Sequence, residues 1–194
     1  MTLSLAERQI QNRTRRALRF IGASLVVYVV AGLVAAAALR WLPESRRASE
    51  AMFPPVFAVT SALLVAGSVC LHRAVGFVKR EKQREFRQSL LAALTLGVLF
   101  VGLQAYGLKI LFTHQRVAET QTESNAFLTV VSGLHAMHFT VALWWLLWVL
   151  IGALDDRYDH EFHWGVSACG WFWHVLGIVW GIVLTVFLIA ANFQ

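Results

Sequence analysis

Acidic residues are few in this 194-residue chain, which holds 11 Asp and Glu against 17 Lys and Arg. None of the 11 lies inside the long apolar segments described below. A proton pump or a carboxylate-driven transporter usually keeps at least one acid within the membrane, so the sequence argues against both classes. The chain also lacks Gly-x-Ser-x-Gly, a phosphate-binding glycine loop and His-Glu-x-x-His. The sequence therefore lacks the motifs by which the enzymes that use them are recognised.

Cysteine is restricted to Cys70 and Cys169, both within apolar segments. This placement argues against a secretory disulfide framework and predicts two buried free thiols. A cleaved signal peptide is not predicted either, because the first apolar run begins only near Phe20, after five arginines, and no small-residue cleavage site follows it.

Apolar residues are abundant in the chain. Hydrophobic residues make up 58% of it, charged residues only 14%, and the mean hydropathy is +0.60. These values lie well beyond the composition of soluble domains. Eight tryptophans suit a chain with several membrane–water interfaces. The composition indicates an integral membrane protein with little chain left for a soluble domain.

Five apolar segments are long enough to cross about 30 Å of hydrocarbon as helices. They comprise residues 20–39, 56–78, 90–112, 126–154 and 164–191. We therefore predict an all-α fold, a polytopic membrane bundle of five transmembrane helices. Residues 1–19 are predicted to form a basic cytoplasmic segment, and residues 20–194 a single five-span membrane domain.

The distribution of Lys and Arg predicts the orientation of the bundle. Twelve lie in or near the N-terminal arm, the connection after the second span and the connection after the fourth, whereas five lie at the opposite side. Positive charge is retained on the cytoplasmic side of membranes, so the N-terminus is predicted to be cytoplasmic and the C-terminus external. The N-terminal arginines adjoin a membrane segment, and we therefore predict no nucleic-acid partner.

The connection between the fourth and fifth spans is acidic and contains two histidines. It holds Asp155, Asp156, Asp159, His160, Glu161 and His163. Such a mixture can bind a divalent metal, but a closed site needs about four converging ligands, and no Cys-based or His-x-x-x-His spacing occurs here. We interpret the segment as an acidic loop that docks on a partner and predict no metal site.

Polar residues within the apolar segments are the main candidates for a functional site, because a membrane-buried imidazole is costly unless it is paired. His135 and His138 lie on one face of the fourth span, His174 lies in the fifth, and Gln104 lies in the third. Two helices that present histidines inward can hold a haem iron. The alternative is that the imidazoles bind one another, a Trp indole or a backbone carbonyl, and crowding around His174 by Trp173 and Trp180 favours this alternative.

Small residues predict close helix approach, within the chain or between subunits. Gly177 and Gly181 form a Gly-x-x-x-Gly in the fifth span, and Gly133 precedes the histidine pair of the fourth. These three glycines are predicted helix-packing positions with no chemical role.

Read together, the last two spans resemble those of subunit III of the haem–copper respiratory oxidases, in the short five-helix bacterial form. The Gly-x-His-x-x-His motif is matched by Gly133, His135 and His138, and the aromatic-Trp-His motif by Trp173 and His174, with Trp180 six residues later. Weaker similarities lie upstream: Pro54-Pro55, Thr60-Ser61, Ala66-Gly67-Ser68, the basic run 79–87, and Gly97 with Gln104.

Two positions depart from the family pattern. The Ser-Glu pair that is typical of the family's first helix is matched by Ser24-Leu25, and the Asp three residues after the Trp-His histidine is matched by Gly177. Both departures remove an acid from the membrane. The resemblance is thus to a divergent member that keeps the scaffold and the subunit contact.

The resemblance implies a non-catalytic subunit of a terminal oxidase in the bacterial cytoplasmic membrane. It implies partners that carry the haem and copper, namely subunit I and also subunit II, and bound phospholipid, with no catalytic, metal or cofactor-binding residue in this chain. Two alternatives remain open: an accessory subunit of a nitric oxide reductase, and a small b-type haem electron carrier that uses His135 or His138 with His174.

Overall fold

A computed structural model describes residues 5–41, 56–115 and 122–192, with side chains described over most of 13–40, 56–109 and 133–186. Five helices account for nearly all of the described chain: α1 (Leu5–Trp41), α2 (Val56–Lys79), α3 (Gln83–Gln115), α4 (Thr122–Leu154) and α5 (Trp164–Asn192). Each contains a stretch long and apolar enough to cross a membrane. The predicted all-α, five-span fold is therefore confirmed. Pro54 and Pro55 lie outside the described residues.

The basic segments adjoin the helices directly, and the described connections between helices are short. The basic N-terminal segment is continuous with the first span, since α1 runs unbroken from residue 5 to residue 41. Between α2 and α3 the chain turns within three residues, and Glu81 adopts a positive φ of 57° at this turn. The predicted short connection between α4 and α5 is residues 155–163, so these helices run antiparallel and contact each other.

Four of the helices form a closed ring, in which α2 contacts α3, α3 contacts α4, α4 contacts α5, and α5 contacts α2. The fifth helix, α1, packs outside this ring in the groove between α3 and α4. Because α1 has neighbours on one side only, most of its apolar side chains are exposed, including Leu25 and Val26. In a bilayer such side chains face lipid or another subunit, so their exposure carries no penalty of the kind it has in water.

The core of the ring is aromatic. Phe100 and Phe139 lie 4.3 Å apart between ring centroids, and Phe139 lies 4.8 Å from Trp173. Cys169 is buried and Cys70 is half-buried, and both are free thiols as predicted.

Candidate functional site

Trp173 occupies the centre of the four-helix ring. A Cβ added at Gly67 of α2 would lie 3.0 Å from Cζ2 of its indole, and one added at Gly97 of α3 would lie 2.8 Å from Cη2. The indole thus fits between two helices only because both carry glycine at the contact. Its Nε1–H points to the carbonyl oxygen of Leu64, 3.4 Å away. The predicted motif tryptophan is therefore the central packing residue of the bundle.

Trp180 ties α5 to α2 one level further along the bundle. Its Nε1–H donates to Oγ of Ser61 at 3.1 Å, and the Ser61 hydroxyl donates in turn to the carbonyl of Phe57 at 2.7 Å. The indole ring also stacks on the imidazole of His135, with 5.1 Å between centroids and 23° between planes. Trp180 therefore joins α2, α4 and α5.

His174 makes a third contact along the same seam, a hydrogen bond between its Nδ1 and the hydroxyl of Ser68. Three side chains of α5 thus form hydrogen bonds with α2. Trp173 binds the carbonyl of Leu64, His174 binds Ser68, and Trp180 binds Ser61. We call these six residues the α2–α5 seam. The sequence showed Ser61 and Ser68 only as isolated similarities, with no sign of which residue each would meet.

The other two histidines have different surroundings. His138 is exposed, and its Nδ1 lies 2.7 Å from the carbonyl oxygen of Leu134 on its own helix. His135 is buried against Trp180, and neither of its ring nitrogens has a hydrogen-bond partner within the described residues. Gln104 of α3 is also buried.

This arrangement does not bring the histidines of α4 and α5 to a common point. His135 lies against Trp180, which is six residues from His174 and therefore about 9 Å away along the axis of α5. His174 is turned to Ser68 of α2 instead. Over the described residues, no group of three or more His, Cys, Asp and Glu side chains is placed to hold a metal ion. The described hydrogen bond of His174 joins two packed helices, whereas that of His138 lies within its own helix.

The three predicted packing glycines differ from one another. A Cβ at Gly177 would lie 3.2 Å from Cδ2 of Leu64, so this glycine packs against α2. Around Gly133 and Gly181, nothing in the described chain lies within 4 Å of such a Cβ. A packing role for these two stays a prediction.

The acidic loop docks on its own chain. Asp155 binds Arg16 and Arg19 of α1, with N–O distances of 3.1 Å to each, and Asp156 pairs with Arg87 of α3. His160 lies 2.7 Å from the carboxylate of Glu81 in the α2–α3 turn. The N-terminal arm, the α2–α3 turn and the acidic loop thus share one end of the bundle, which we call the charged end. Exposed pairs of this kind contribute little each, up to about 1 kcal/mol.

Tyr158 anchors the charged end, a role that we did not predict from the sequence. Its ring fills the space over two glycines, since a Cβ at Gly152 would lie 2.8 Å from its Cε2, and it meets Phe86 edge-on at 6.4 Å. Its carbonyl accepts a hydrogen bond from Gln83 Nε2 at 2.8 Å. Burial raises the pKa of the Tyr158 hydroxyl above its usual 10.0; nearby Cys169 adds to the rise, while Arg157 and Arg16 oppose it.

The raised pKa predicts a loss of stability in alkali. A group whose pKa is higher in the folded protein stabilises the fold fully below the unfolded pKa, and this contribution is lost as the pH rises through the folded pKa. From about pH 10 upward, the melting temperature of the wild type should fall more steeply than that of Tyr158→Phe, and below pH 9 the difference between them should be constant. Thermal melts in detergent measure this, and parallel curves up to pH 11 would contradict it.

The chain is similar to known proteins of one family. A family model for cytochrome c oxidase subunit III matches residues 20–191. The chain is 27% identical over 123 residues to cytochrome c oxidase subunit 3 of Spodoptera frugiperda, an alignment that covers 63% of this chain and 80% of that protein. It is 28% identical over 123 residues to the same subunit of Drosophila melanogaster, covering 63% and 45% of the two chains. For Branchiostoma lanceolatum the values are 28% over 141 residues, 72% and 51%.

The alignments thus span about half the length of the Drosophila and Branchiostoma proteins. The family match, by contrast, includes all of the α2–α5 seam, His135 and Gln104. With five membrane-spanning helices and a match over nearly its whole length, this multi-pass membrane protein belongs to the cytochrome c oxidase subunit III family.

Proposed function

We propose that this protein is a non-catalytic subunit of a terminal respiratory oxidase in the bacterial cytoplasmic membrane. The family match over residues 20–191 carries the proposal, because the relatives are named as subunits of cytochrome c oxidase. The haem and copper are expected in partner subunits, and this chain packs on the haem–copper catalytic subunit I, with subunit II in the same complex. Its contribution is to support sustained turnover rather than to carry out oxygen reduction.

The use of its polar side chains supports a scaffold role. All three polar contacts of the α2–α5 seam are hydrogen bonds between α5 side chains and α2. Two of them involve the hydroxyls of Ser61 and Ser68. Polar contacts between membrane helices stabilise a particular helix arrangement, each by about 0.6–2 kcal/mol. A rigid bundle of this kind presents fixed outer faces to a partner and to lipid. The exposed apolar sides of α1 and α5, with Leu25 and Ile178, are where we expect phospholipid and the catalytic subunit to bind.

The charge distribution supports the orientation. The N-terminal arm, the α2–α3 turn and the α4–α5 loop meet at the charged end, and these segments with the adjoining ends of α2 and α3 hold twelve of the 17 Lys and Arg residues. By the positive-inside rule, the charged end is cytoplasmic. The five-helix form and this orientation together fit a bacterial inner membrane.

Co-purification tests the proposed function directly. The tagged protein is extracted from its native membrane in mild detergent, and the proteins that accompany it are identified by mass spectrometry. We expect a haem–copper oxidase subunit I to be recovered with it. Recovery of this chain alone, or with a nitric oxide reductase, would contradict the oxidase assignment.

Two variants separate the scaffold role of His174 from haem ligation. His174→Ala and Ser68→Ala both remove the hydrogen bond between α2 and α5, so both should lower the yield of assembled complex by a similar factor, several-fold at most. The isolated chain should show no Soret band. If instead the isolated wild type shows a Soret band that His174→Ala abolishes and Ser68→Ala retains, the protein is a haem carrier.

A further inference from the structure

Apart from Tyr, Trp and Cys side chains, only three polar side chains among those described are buried, and each comes from a different helix. They are Thr60 of α2, Gln104 of α3 and His135 of α4, with exposed fractions of 0%, 5% and 4%. Two of the three have polar atoms without a partner in the described residues: Oε1 of Gln104 and both ring nitrogens of His135.

The register of α3 against α4 places Gln104 opposite His135. The two helices are antiparallel, with Phe100 packed against Phe139 and Gly97 against Leu143. Gln104 lies one turn after Phe100, and His135 lies one turn before Phe139. Because the helices are antiparallel, moving from Phe100 to Gln104 and from Phe139 to His135 shifts by about 6 Å toward the same end of the bundle. Both side chains therefore lie at one level of the core.

The register of α2 against α3 brings Thr60 to the same level. Gly67 and Gly97 lie on either side of Trp173, and Phe57 packs against Gly107. Thr60 is three residues after Phe57, and Gln104 is three residues before Gly107. We call Thr60, Gln104 and His135 the polar layer.

The described protein atoms nearby do not supply hydrogen-bond partners for Gln104 Oε1 or for the ring nitrogens of His135. The Thr60 hydroxyl donates to the carbonyl of Phe57 at 3.1 Å, within its own helix. Trp180 covers the face of His135, and its only N–H is already donated to Ser61. A stacked imidazole directs its two nitrogens sideways, in the plane of the ring, and a neutral imidazole carries one donor and one acceptor there. In a membrane core, leaving such atoms unpaired is costly.

We infer that Gln104 and His135 of the polar layer bind an internal water molecule, which bridges Gln104 Oε1 and a ring nitrogen of His135. Water is the smallest molecule that both donates and accepts, and buried waters typically make about three hydrogen bonds to polar groups that would otherwise be unpaired. The amide oxygen accepts one hydrogen of the water, and the imidazole either accepts the other or donates to the water oxygen. This site is independent of which complex the chain belongs to.

A map of the protein in its purified membrane complex tests the inference. It must be sharp enough, at about 2 Å resolution, to show ordered waters elsewhere in the bundle. We expect a separate density peak within hydrogen-bond distance of both Gln104 Oε1 and His135. A direct hydrogen bond between the two side chains, or no peak between them, would overturn the inference.

A double-mutant cycle provides a second readout. Gln104→Met and His135→Phe each keep much of the side-chain volume. Each removes one of the two side-chain hydrogen bonds to the water, which weakens the binding of the water to the other side chain. We expect each single variant to lower the melting temperature, and the double variant to recover at least half of the summed loss. Thr60→Val is the control, because its hydroxyl bonds within α2 and should not couple to His135→Phe. Strictly additive losses, or single variants that melt higher than the wild type, would contradict a shared water.

Discussion

Replacing Trp173 by alanine is expected to be the most destabilising single substitution in the bundle, at about 3–5 kcal/mol. The indole is 1% exposed and contacts α2, α3 and α4 from its position on α5. Its removal leaves a cavity that the surrounding helices cannot close, because Gly67 and Gly97 offer no side chain to fill it. Denaturation of the isolated protein in mixed detergent micelles measures the loss.

Trp171 is the matched control for this prediction. It lies two residues earlier on the same helix and is 74% exposed in the chain. Trp171→Ala should change the stability of the isolated protein by no more than about 0.5 kcal/mol, as surface substitutions usually do. Equal losses at the two positions would show that Trp173 does not hold the core.

Gly97→Ala is expected to cost about 1–3 kcal/mol of stability from overpacking. The new methyl carbon would lie 2.8 Å from Cη2 of Trp173 and 3.0 Å from Cδ2 of Leu143, closer than carbon atoms pack. At Gly133 nothing in the described chain lies within 4 Å of the added carbon. Gly133→Ala should therefore be neutral or stabilise the helix, by up to about 1 kcal/mol.

The two predictions are coupled, which gives a further check. Trp173→Phe removes the part of the indole that Gly97 accommodates, so Gly97→Ala should cost less in the Trp173→Phe background than in the wild type. Residues in direct contact commonly show interaction energies of about 0.5–3 kcal/mol in such cycles. An unchanged cost of Gly97→Ala in the two backgrounds would place the strain elsewhere than at Trp173.

The polar positions of the membrane segments could be found from the sequence, whereas their partners could not. His135, His174, Trp180 and Gln104 stood out because polar and large aromatic groups within an apolar run are conspicuous. The hydrogen bond from Trp180 to Ser61, by contrast, depends on how far two helices are rotated and shifted relative to each other. Single-sequence patterns contain no information on that register.

The acidic loop shows the same limit. Its charges predicted a segment that docks on a partner, whereas the structure pairs Asp155 and Asp156 with arginines of α1 and α3 in the same chain. Tyr158 went unnoticed because one tyrosine in a polar loop is ordinary. Its role appears only when Gly152 and Gly165 are seen to leave room for its ring.

The sequence by itself determined the number of spans and the sharing of one end by the basic segments, because hydrocarbon thickness and the cost of buried charge act on each segment separately. Only the tertiary structure decided that α2 to α5 close a ring with α1 outside it, that Trp173 fills its centre, and that Gln104 and His135 are both buried in its core. These features arise from all the helices packing at once. Side-chain shape, rather than hydropathy, then decides which faces fit together.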